Sequence, residues 1–167
     1  MSVDSFKFMS RTLANSLKVW PYVDTSGEEI PWTPLEKKVS ECRVAMISSG
    51  GFYCRDDKPF DLEREKREPL WGDPSFREIP RGILQEDILA AHLHYNNDHA
   101  LEDFNCMFPL DALEDLLAEG AIGDIAAYHL SLMGYQPRLG TFVKETAPRM
   151  VGRLREMDVD LVFLSPG

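Results

Sequence analysis

The sequence is poor in cysteine and in long apolar runs. Its three cysteines form no C-x-x-C pair, which excludes a disulfide framework and a structural zinc site and favours free thiols in a reducing compartment. No stretch approaches the roughly 20 consecutive apolar residues of a membrane-spanning helix, and the amino terminus has no apolar run after a basic start. We therefore expect a cytoplasmic protein that does not enter a membrane.

Positive charge is also scarce. The chain has 18 Lys and Arg against 28 Asp and Glu, a formal net charge of −10. This charge repels phosphate backbones and anionic lipid headgroups, so neither nucleic acid nor a membrane surface is expected as a partner. The 167 residues, 44% of them hydrophobic, suffice for one domain with a sizeable core.

Helical patterns recur along the chain. Phe6 to Trp20 has apolar residues at spacings of three and four, which predicts an amphipathic helix ended by Pro21. Thr33-Pro34-Leu35-Glu36 is typical of a helix start. A further helix is predicted between residues 109 and 120. A last one follows Thr141 as its cap, and Pro148 should bend or divide it.

Short apolar runs supply the strands. They are predicted at residues 43–47, at 88–93, where a helix end is the alternative, and at 158–164, with 122–128 leading back to the sheet. Residues 53–80 are predicted to be a long surface excursion with short ordered pieces. The alternation indicates an α/β fold, a three-layer (Rossmann-like) domain with a mostly parallel sheet over residues 41–167, preceded by a helical lead-in over 1–40.

The last predicted strand runs into Ser165-Pro166-Gly167. In α/β proteins, ligands and reactive groups collect in the loops that follow the carboxyl ends of parallel strands. We therefore expect the domain to be incomplete at its carboxyl terminus and to lack a group that such a loop would carry.

The densest polar cluster spans residues 92–109 and contains three of the four histidines. Imidazoles beside carboxylates can act as general acid and base or as metal ligands. No histidine pair at i, i+4 and no cysteine partner completes a familiar metal site. We predict acid–base or orienting roles for His94, Asp98 and His99, and no metal. The alternative is a set of turn and capping residues whose rings hydrogen-bond the loop backbone.

Two further features could carry chemistry. Gly50 and Gly51 follow a predicted strand and could expose backbone N–H groups to a carboxylate or phosphate, although a plain tight turn explains them equally well. Cys54, beside Arg55, and Cys106 could be reactive or resolving thiols, with inert packing as the alternative.

Several motifs occur in one order. They are Val44-Ala-Met-Ile-Ser-Ser-Gly50-Gly51, Asp57-Lys-Pro59-Phe60-Asp61, Gly72-Asp73-Pro-Ser-Phe76-Arg77-Glu-Ile-Pro80, His94-Tyr95, Asp98-His99, Glu102-Asp103, Asn105, Phe108-Pro109, Glu119-Gly120-x-Ile122-Gly123 and Met133-Gly134. In this order they resemble the selenoprotein subunit of the glycine, sarcosine, betaine and D-proline reductases. The resemblance covers roughly residues 40–167 and assigns Gly50, Gly51, Asp57 and Asp61 to a loop that meets the substrate or a partner.

The resemblance implies an oxidoreductase subunit that reductively cleaves the α C–N bond of an amino acid or amine-bearing acid. It implies a selenocysteine, or a cysteine in some relatives, directly after Gly167. The chain itself would bind no cofactor, because a pyruvoyl group on a partner subunit activates the amine and a nearby thiol resolves the adduct. Since ordinary translation treats the selenocysteine codon as a stop, we expect a selenoprotein read only to that codon, and inactive in this form.

Two other functions stay open. One is a non-catalytic binding or assembly protein of the same fold. The other is a metal-dependent hydrolase or lyase that would use His92, His94, Asp98 and His99. The sequence predicts neither the particular substrate nor the oligomeric state, and a homo-oligomer is compatible with it.

Overall fold

The computed structural model describes residue 7, residues 9–19 and residues 26–167. Phe6, Trp20 and Pro21, on which the first helix prediction relied, lie outside these residues. The chain divides into two compact units, residues 1–34 and 35–167. In the first unit the predicted helix forms as α1 (Arg11–Lys18), and Ser10 caps it by accepting the Leu13 N–H at 3.3 Å.

The second unit is built on a five-stranded, mostly parallel sheet. At its centre β1 (Arg43–Ser48) pairs in parallel with β7 (Leu161–Ser165) along one side. On the other side β5 (Asp124–Ile125) pairs with the start of β1 and β6 (Tyr128–Leu132) with its end. β3 (Phe76–Pro80) runs antiparallel to β6. The predicted α/β class is confirmed.

A histidine side chain accepts a hydrogen bond from β1 between the part that pairs with β5 and the part that pairs with β6. The Met46 N–H of β1 donates to His129 Nδ1 at 3.1 Å, in place of a backbone carbonyl. The ring is 1% exposed and lies edge-on to Phe108, with centroids 6.0 Å apart. Burial lowers the pKa of His129 to about 4, so the ring stays neutral near pH 7 and Nδ1 remains an acceptor.

Helices cover both faces of the sheet. Val44 and Met46 of β1 face the cluster that contains Leu110 and Leu113 of α4 (Leu110–Ala118). Ala45, between them, faces the cluster formed with α6 (Ala147–Glu156). This alternation of side chains along β1 produces the three predicted layers.

One prediction before β3 is wrong. Residues 33–36 form no helix, because Pro31 and Pro34 favour extended backbone before them; the first helical turn of the second unit is the 3₁₀ turn Val39–Glu41. Residues 53–80, predicted as an excursion with short ordered pieces, contain two such pieces, α2 (Leu62–Arg67) and β3. β3 carries charged side chains and ends in proline, which its position at the margin of the sheet tolerates.

The other corrections concern strand partners and a helix cap. The predicted strand at 88–93 is reduced to β4 (Ile88–Ala90), which pairs antiparallel with β2 (Phe52–Cys54) in a separate two-stranded sheet. Thr141 caps no helix, since it lies inside α5 (Leu139–Thr141).

The last helix is divided as predicted. A π-helical segment, Phe142–Thr146, joins α5 to α6 and directly precedes the turn that contains Pro148. Because proline has no backbone N–H, the regular α pattern is interrupted before it.

The last strand, β7, carries exposed apolar side chains. Phe163 is 54% and Leu164 69% exposed. Within the described ranges, β7 pairs along one side only, which leaves its outer side open. Across these same ranges no helix is long and apolar enough to span a membrane.

A small helix and two 3₁₀ turns complete the second unit. The turn Gln85–Asp87 precedes β4. The short helix α3 (Asp98–Glu102) and the turn Phe104–Cys106 follow β4, and they carry the polar cluster toward the end of β1.

Candidate functional site

Three parallel strands end at one edge of the main sheet. We call residues 48–51, 133–135 and 165–167 the carboxyl edge. The Ser49 N–H donates to the Ser165 carbonyl at 3.1 Å and the Gly134 N–H to the Ser49 carbonyl at 2.9 Å. These bonds join the three strand ends into one surface, where α/β folds commonly place their sites.

The glycine loop uses its donors internally. The Gly50 N–H donates to Ser48 Oγ at 3.2 Å, and the Gly51 N–H to the Leu132 carbonyl at 2.9 Å. These two N–H groups are therefore not free to bind an anion, and the alternative of a tight turn describes the loop. Gly51 has φ +70°, and a Cβ there would lie 2.4 Å from the Ala91 carbonyl oxygen. The loop requires glycine for backbone shape and close packing.

Neighbouring residues hold the end of β7 in place. The Met107 carbonyl accepts from Ser165 Oγ at 2.7 Å, and the Gly167 N–H donates to Ser49 Oγ at 2.9 Å. The Tyr95 hydroxyl donates to the Gly50 carbonyl at 2.5 Å. Burial, followed by the nearby Cys106, raises the pKa of Tyr95 to about 12, so this hydroxyl keeps its proton. No role was predicted for Tyr95 or Met107 from the sequence.

His92 organises the turn that follows β4. Its Nδ1 accepts the His94 N–H at 3.0 Å, and its carbonyl accepts from Asn97 Nδ2 at 3.0 Å. Burial lowers the pKa of His92 to about 4, so the ring is neutral near pH 7. For this histidine the alternative of a ring that hydrogen-bonds the loop backbone is confirmed.

His94 meets a buried carboxylate. Its Nε2 lies 2.8 Å from Oε1 of Glu65, which is 3% exposed, and its ring packs on Tyr135 with centroids 3.9 Å apart. Glu65 was not predicted from the sequence, because it belongs to the charged run 63–67, a pattern typical of a solvated helix. No local signal distinguishes it from the exposed Glu63.

Asp98 and His99 lie apart from this pair. Both are exposed on α3, and within residues 26–167 neither side chain makes a hydrogen bond to His94. The structure thus brings together His94 and Glu65 but leaves the other two predicted groups facing solvent. The described part of the chain contains no group of three His, Cys, Asp or Glu side chains that could hold a metal ion, so the metal-dependent alternative has no ligand set there.

Asp57 and Asp61 take local structural positions. Asp57 Oδ2 accepts the Cys54 N–H at 3.0 Å, and Asp61 Oδ1 caps α2 by accepting the Arg64 N–H at 2.9 Å. Both line a cavity of about 520 Å³ together with Trp71. Gly50, Gly51 and the histidines do not line this cavity. The four residues predicted to form one loop that meets substrate or partner therefore lie at two separate places.

Comparison with known proteins provides the family. The family model described as glycine/sarcosine/betaine reductase selenoprotein B matches residues 22–166. The chain belongs to this family. The resemblance predicted from the order of motifs is confirmed.

Relatives of this chain include subunits of several reductases. It is 35% identical over 156 residues to the D-proline reductase subunit gamma of Acetoanaerobium sticklandii, covering 93% of the chain and 61% of that protein. It is 27% identical to the sarcosine reductase complex component B subunit beta of Peptoclostridium acidaminophilum, covering 68% of the chain and 25% of that protein.

A glycine reductase subunit is also related. The chain is 26% identical to the glycine reductase complex component B subunit gamma of Carboxydothermus hydrogenoformans, covering 83% of the chain and 31% of that protein. The chain therefore spans about three fifths of the first relative's length and less of the others. No solved structure matches it.

The thiols of this reductase-family chain differ in their surroundings. Burial and the Asp57 carboxylate raise the pKa of Cys54 to about 11, while the Arg55 guanidinium donates to the Glu86 carbonyl at 2.9 Å. An activated thiol at Cys54 is therefore contradicted, because the expected positive charge is directed elsewhere. Cys106 is exposed and directly precedes Met107, which contacts the carboxyl edge. Cys42 is buried.

Proposed function

We propose that the chain is part of a selenol- or thiol-dependent reductase that cleaves the α C–N bond of an amino acid or amine-bearing acid. The 35% identity to a D-proline reductase subunit over 93% of the chain carries this proposal. It favours a proline-type substrate over glycine derivatives, since the sarcosine and glycine reductase relatives are 27%, 26% and 24% identical.

In this proposal a selenocysteine or cysteine directly follows position 167. A selenol or thiol there supplies the nucleophile that displaces the amine. Two contacts support this position, because they hold residue 167 at the carboxyl edge. The Gly167 N–H donates to Ser49 Oγ, and a Cβ added to Gly167 would lie 2.4 Å from the Gly50 Cα. The chain binds no cofactor in this proposal, and the pyruvoyl group belongs to a partner subunit.

We assign roles to the surrounding residues on the same basis. His94 acts as an acid–base group, because its ring is half-exposed beside the carboxyl edge. Cys106 is the better placed resolving thiol. Asp98 and His99, which face solvent, contribute orienting contacts to the substrate or to the partner subunit. Asp57 and Asp61 belong to a loop that meets substrate or partner. The three free thiols favour a reducing, cytoplasmic location.

Reconstitution tests the proposed function. The full-length protein, with cysteine or selenocysteine directly after position 167, is combined with a pyruvoyl-containing subunit, D-proline and a dithiol. We expect a ring-opened amino acid by mass spectrometry, and a fall in kcat of about 10²-fold or more for His94→Gln, because general acid–base catalysis contributes that much.

Two comparisons make this assay decisive. A full-length variant with serine directly after position 167 should be inactive, and glycine, sarcosine and betaine should react more slowly than D-proline. Absence of turnover of all four compounds, with the partner subunit demonstrably bound, would falsify the proposed function. Equal activity of the serine variant would refute the assigned nucleophile.

A further inference from the structure

We propose that Glu65 is a positioning residue that holds the His94 ring, and its Nε2 proton, beside the carboxyl edge. The inference rests on the proposed function, because that function gives His94 an acid–base task. Neither the family description nor the names of the relatives assign a role to Glu65.

Glu65 is a buried acidic residue on a helix whose other charged residues are exposed. It is 3% exposed on α2, whereas its neighbours Glu63, Arg64 and Lys66 are exposed. A carboxylate is costly to bury unless it is paired and hydrogen-bonded. Among the described residues its one hydrogen-bond partner is His94 Nε2 at 2.8 Å, and its second oxygen, Oε2, has none. A buried carboxylate with so few partners is typical of a functional group.

The His94 ring packs against two neighbouring rings, and one of its two nitrogens has no hydrogen bond to the described residues. It packs on Tyr135 with centroids 3.9 Å apart and meets His92 edge-on at 5.5 Å. Its side chain is 44% exposed, and in the described part of the chain Nδ1 makes no hydrogen bond to protein. Because Glu65 accepts the Nε2 proton, Nδ1 is left to exchange a proton with a substrate or with water.

Three titratable groups face the ring. They are Glu65 on α2, His92 two residues earlier and Tyr135 after β6. His92 stays neutral near pH 7, since burial lowers its pKa to about 4. Glu65 is therefore the acidic group in contact with the ring, and it orients the ring through the hydrogen bond with Nε2.

Backbone connections tie the pair to the carboxyl edge. Tyr135 is the last residue of the segment 133–135. Tyr95, which follows His94, donates its hydroxyl proton to the Gly50 carbonyl at 2.5 Å. Movement of the His94 ring is thus limited from two of the three segments that form this edge.

In the proposed reaction His94 supplies the proton that the leaving nitrogen takes up. When the nucleophile bonds to the α carbon, the electron pair of the C–N bond moves to nitrogen. The nitrogen takes the proton from Nδ1 of the protonated His94 ring. Glu65 remains a carboxylate throughout, and the neutral ring recovers a proton from water at its exposed side.

The hydrogen bond is tested on this chain by NMR of ¹⁵N-labelled protein. Glu65→Gln keeps the shape of the side chain and removes its charge, and Glu63→Gln is the matched control on the exposed face of α2. We expect the His94 Nε2–H to exchange with water about tenfold faster in E65Q than in wild type or E63Q, because hydrogen bonds to charged acceptors are stronger. Equal exchange in all three proteins, with unchanged circular dichroism, overturns the proposal.

The positioning role is tested by kcat and KM in the assembled reductase. Without the Glu65 charge the His94 ring is held less closely, so E65Q should lower kcat about tenfold and leave KM unchanged, while E63Q should change neither. In a His94→Gln background, E65Q should have little further effect. An unchanged kcat in E65Q, or the same loss in both backgrounds, overturns the role. If the wild-type complex turns over no substrate, the proposed function fails, and the NMR result still judges the Glu65 contact.

Discussion

The two edges of the main sheet are built from different interactions. At the amino edge, where β1, β5 and β6 begin, partly exposed ion pairs connect Arg43 to Asp124 at 2.8 Å and Arg81 to Glu114 at 2.7 Å. At the carboxyl edge the contacts are neutral bonds between hydroxyls, carbonyls and amides, such as Ser165 to Met107 at 2.7 Å.

The two kinds of contact differ in how closely they hold the groups that they join. Exposed ion pairs are screened by water and salt and tolerate small movements, so each contributes little stability. Short neutral hydrogen bonds between part-buried groups, such as Ser165 and Met107, restrict position more closely, and removing one partner leaves the other without its protein partner. The edge that we propose to carry the chemistry is thus the less tolerant of the two.

The strongest test of this contrast is Gly51→Ala. A Cβ at Gly51 would lie 2.4 Å from the Ala91 carbonyl oxygen, and the backbone has φ +70°. Left-handed strain and overpacking together should lower the free energy of unfolding by about 3 kcal/mol, measured by urea denaturation.

Gly82 provides the matched control. It has φ +73° and nothing within 4 Å of an added Cβ, so Gly82→Ala should cost about 1 kcal/mol from strain alone. Equal losses at Gly51 and Gly82 would mean that close packing at the carboxyl edge contributes nothing.

The next largest effect should be the pH dependence contributed by His129. Burial lowers its pKa to about 4 in the folded protein, below the value of about 6.5 in the unfolded chain. Between these values the unfolded state binds more protons, so stability is full above pH 6.5 and is lost as the pH falls toward 4. The expected loss between pH 7 and pH 5 is about 2 kcal/mol from this ring.

His129→Asn isolates that contribution, because asparagine keeps an acceptor for the Met46 N–H and does not titrate. Urea denaturation at pH 7 and pH 5 should show a smaller difference for this variant than for wild type. The exposed His99→Asn should behave like wild type. If His129→Asn loses as much stability between pH 7 and pH 5 as wild type does, His129 is not the source of that loss.

The smallest effect is expected at the amino edge. Glu114→Gln removes the charge that faces Arg81 and should change the free energy of unfolding by about 0.5 kcal/mol, less at high salt. Ser131→Ala, which removes the acceptor of the Phe52 N–H at 2.7 Å, should cost about 1–3 kcal/mol. If the Glu114 variant loses as much as the Ser131 variant, the two kinds of contact do not differ in the proposed way.

Local patterns predicted the regular parts of this fold. The apolar run of β1, the helix before Gly120 and the order of motifs are all properties of neighbouring residues, and they led to the α/β class and the family. β2 and β4 have three residues each, too short for a periodic signal, and their pairing depends on contacts distant in sequence. β3 is charged because it lies at the margin of the sheet.

The site was less predictable, because burial decides its chemistry. Glu65 and Glu63 have the same side chain in the same charged run, and tertiary packing alone buries one of them beside His94. For Gly50, one local signal was available: a serine hydroxyl can accept the N–H two residues later, as Ser48 does. The Leu132 carbonyl that satisfies Gly51 comes from β6 and has no local signal.

The central position of β1 also affects how the protein folds. Gly167 and Ser49, which meet at the carboxyl edge, are 118 residues apart in sequence. Closing such a large loop loses chain entropy before any contact compensates for it, and topologies rich in distant contacts fold slowly, on the order of milliseconds to seconds. β1 is synthesised before β5, β6 and β7. Until those strands pair with it, both edges of β1 are open to other chains, so aggregation competes with completion of the sheet.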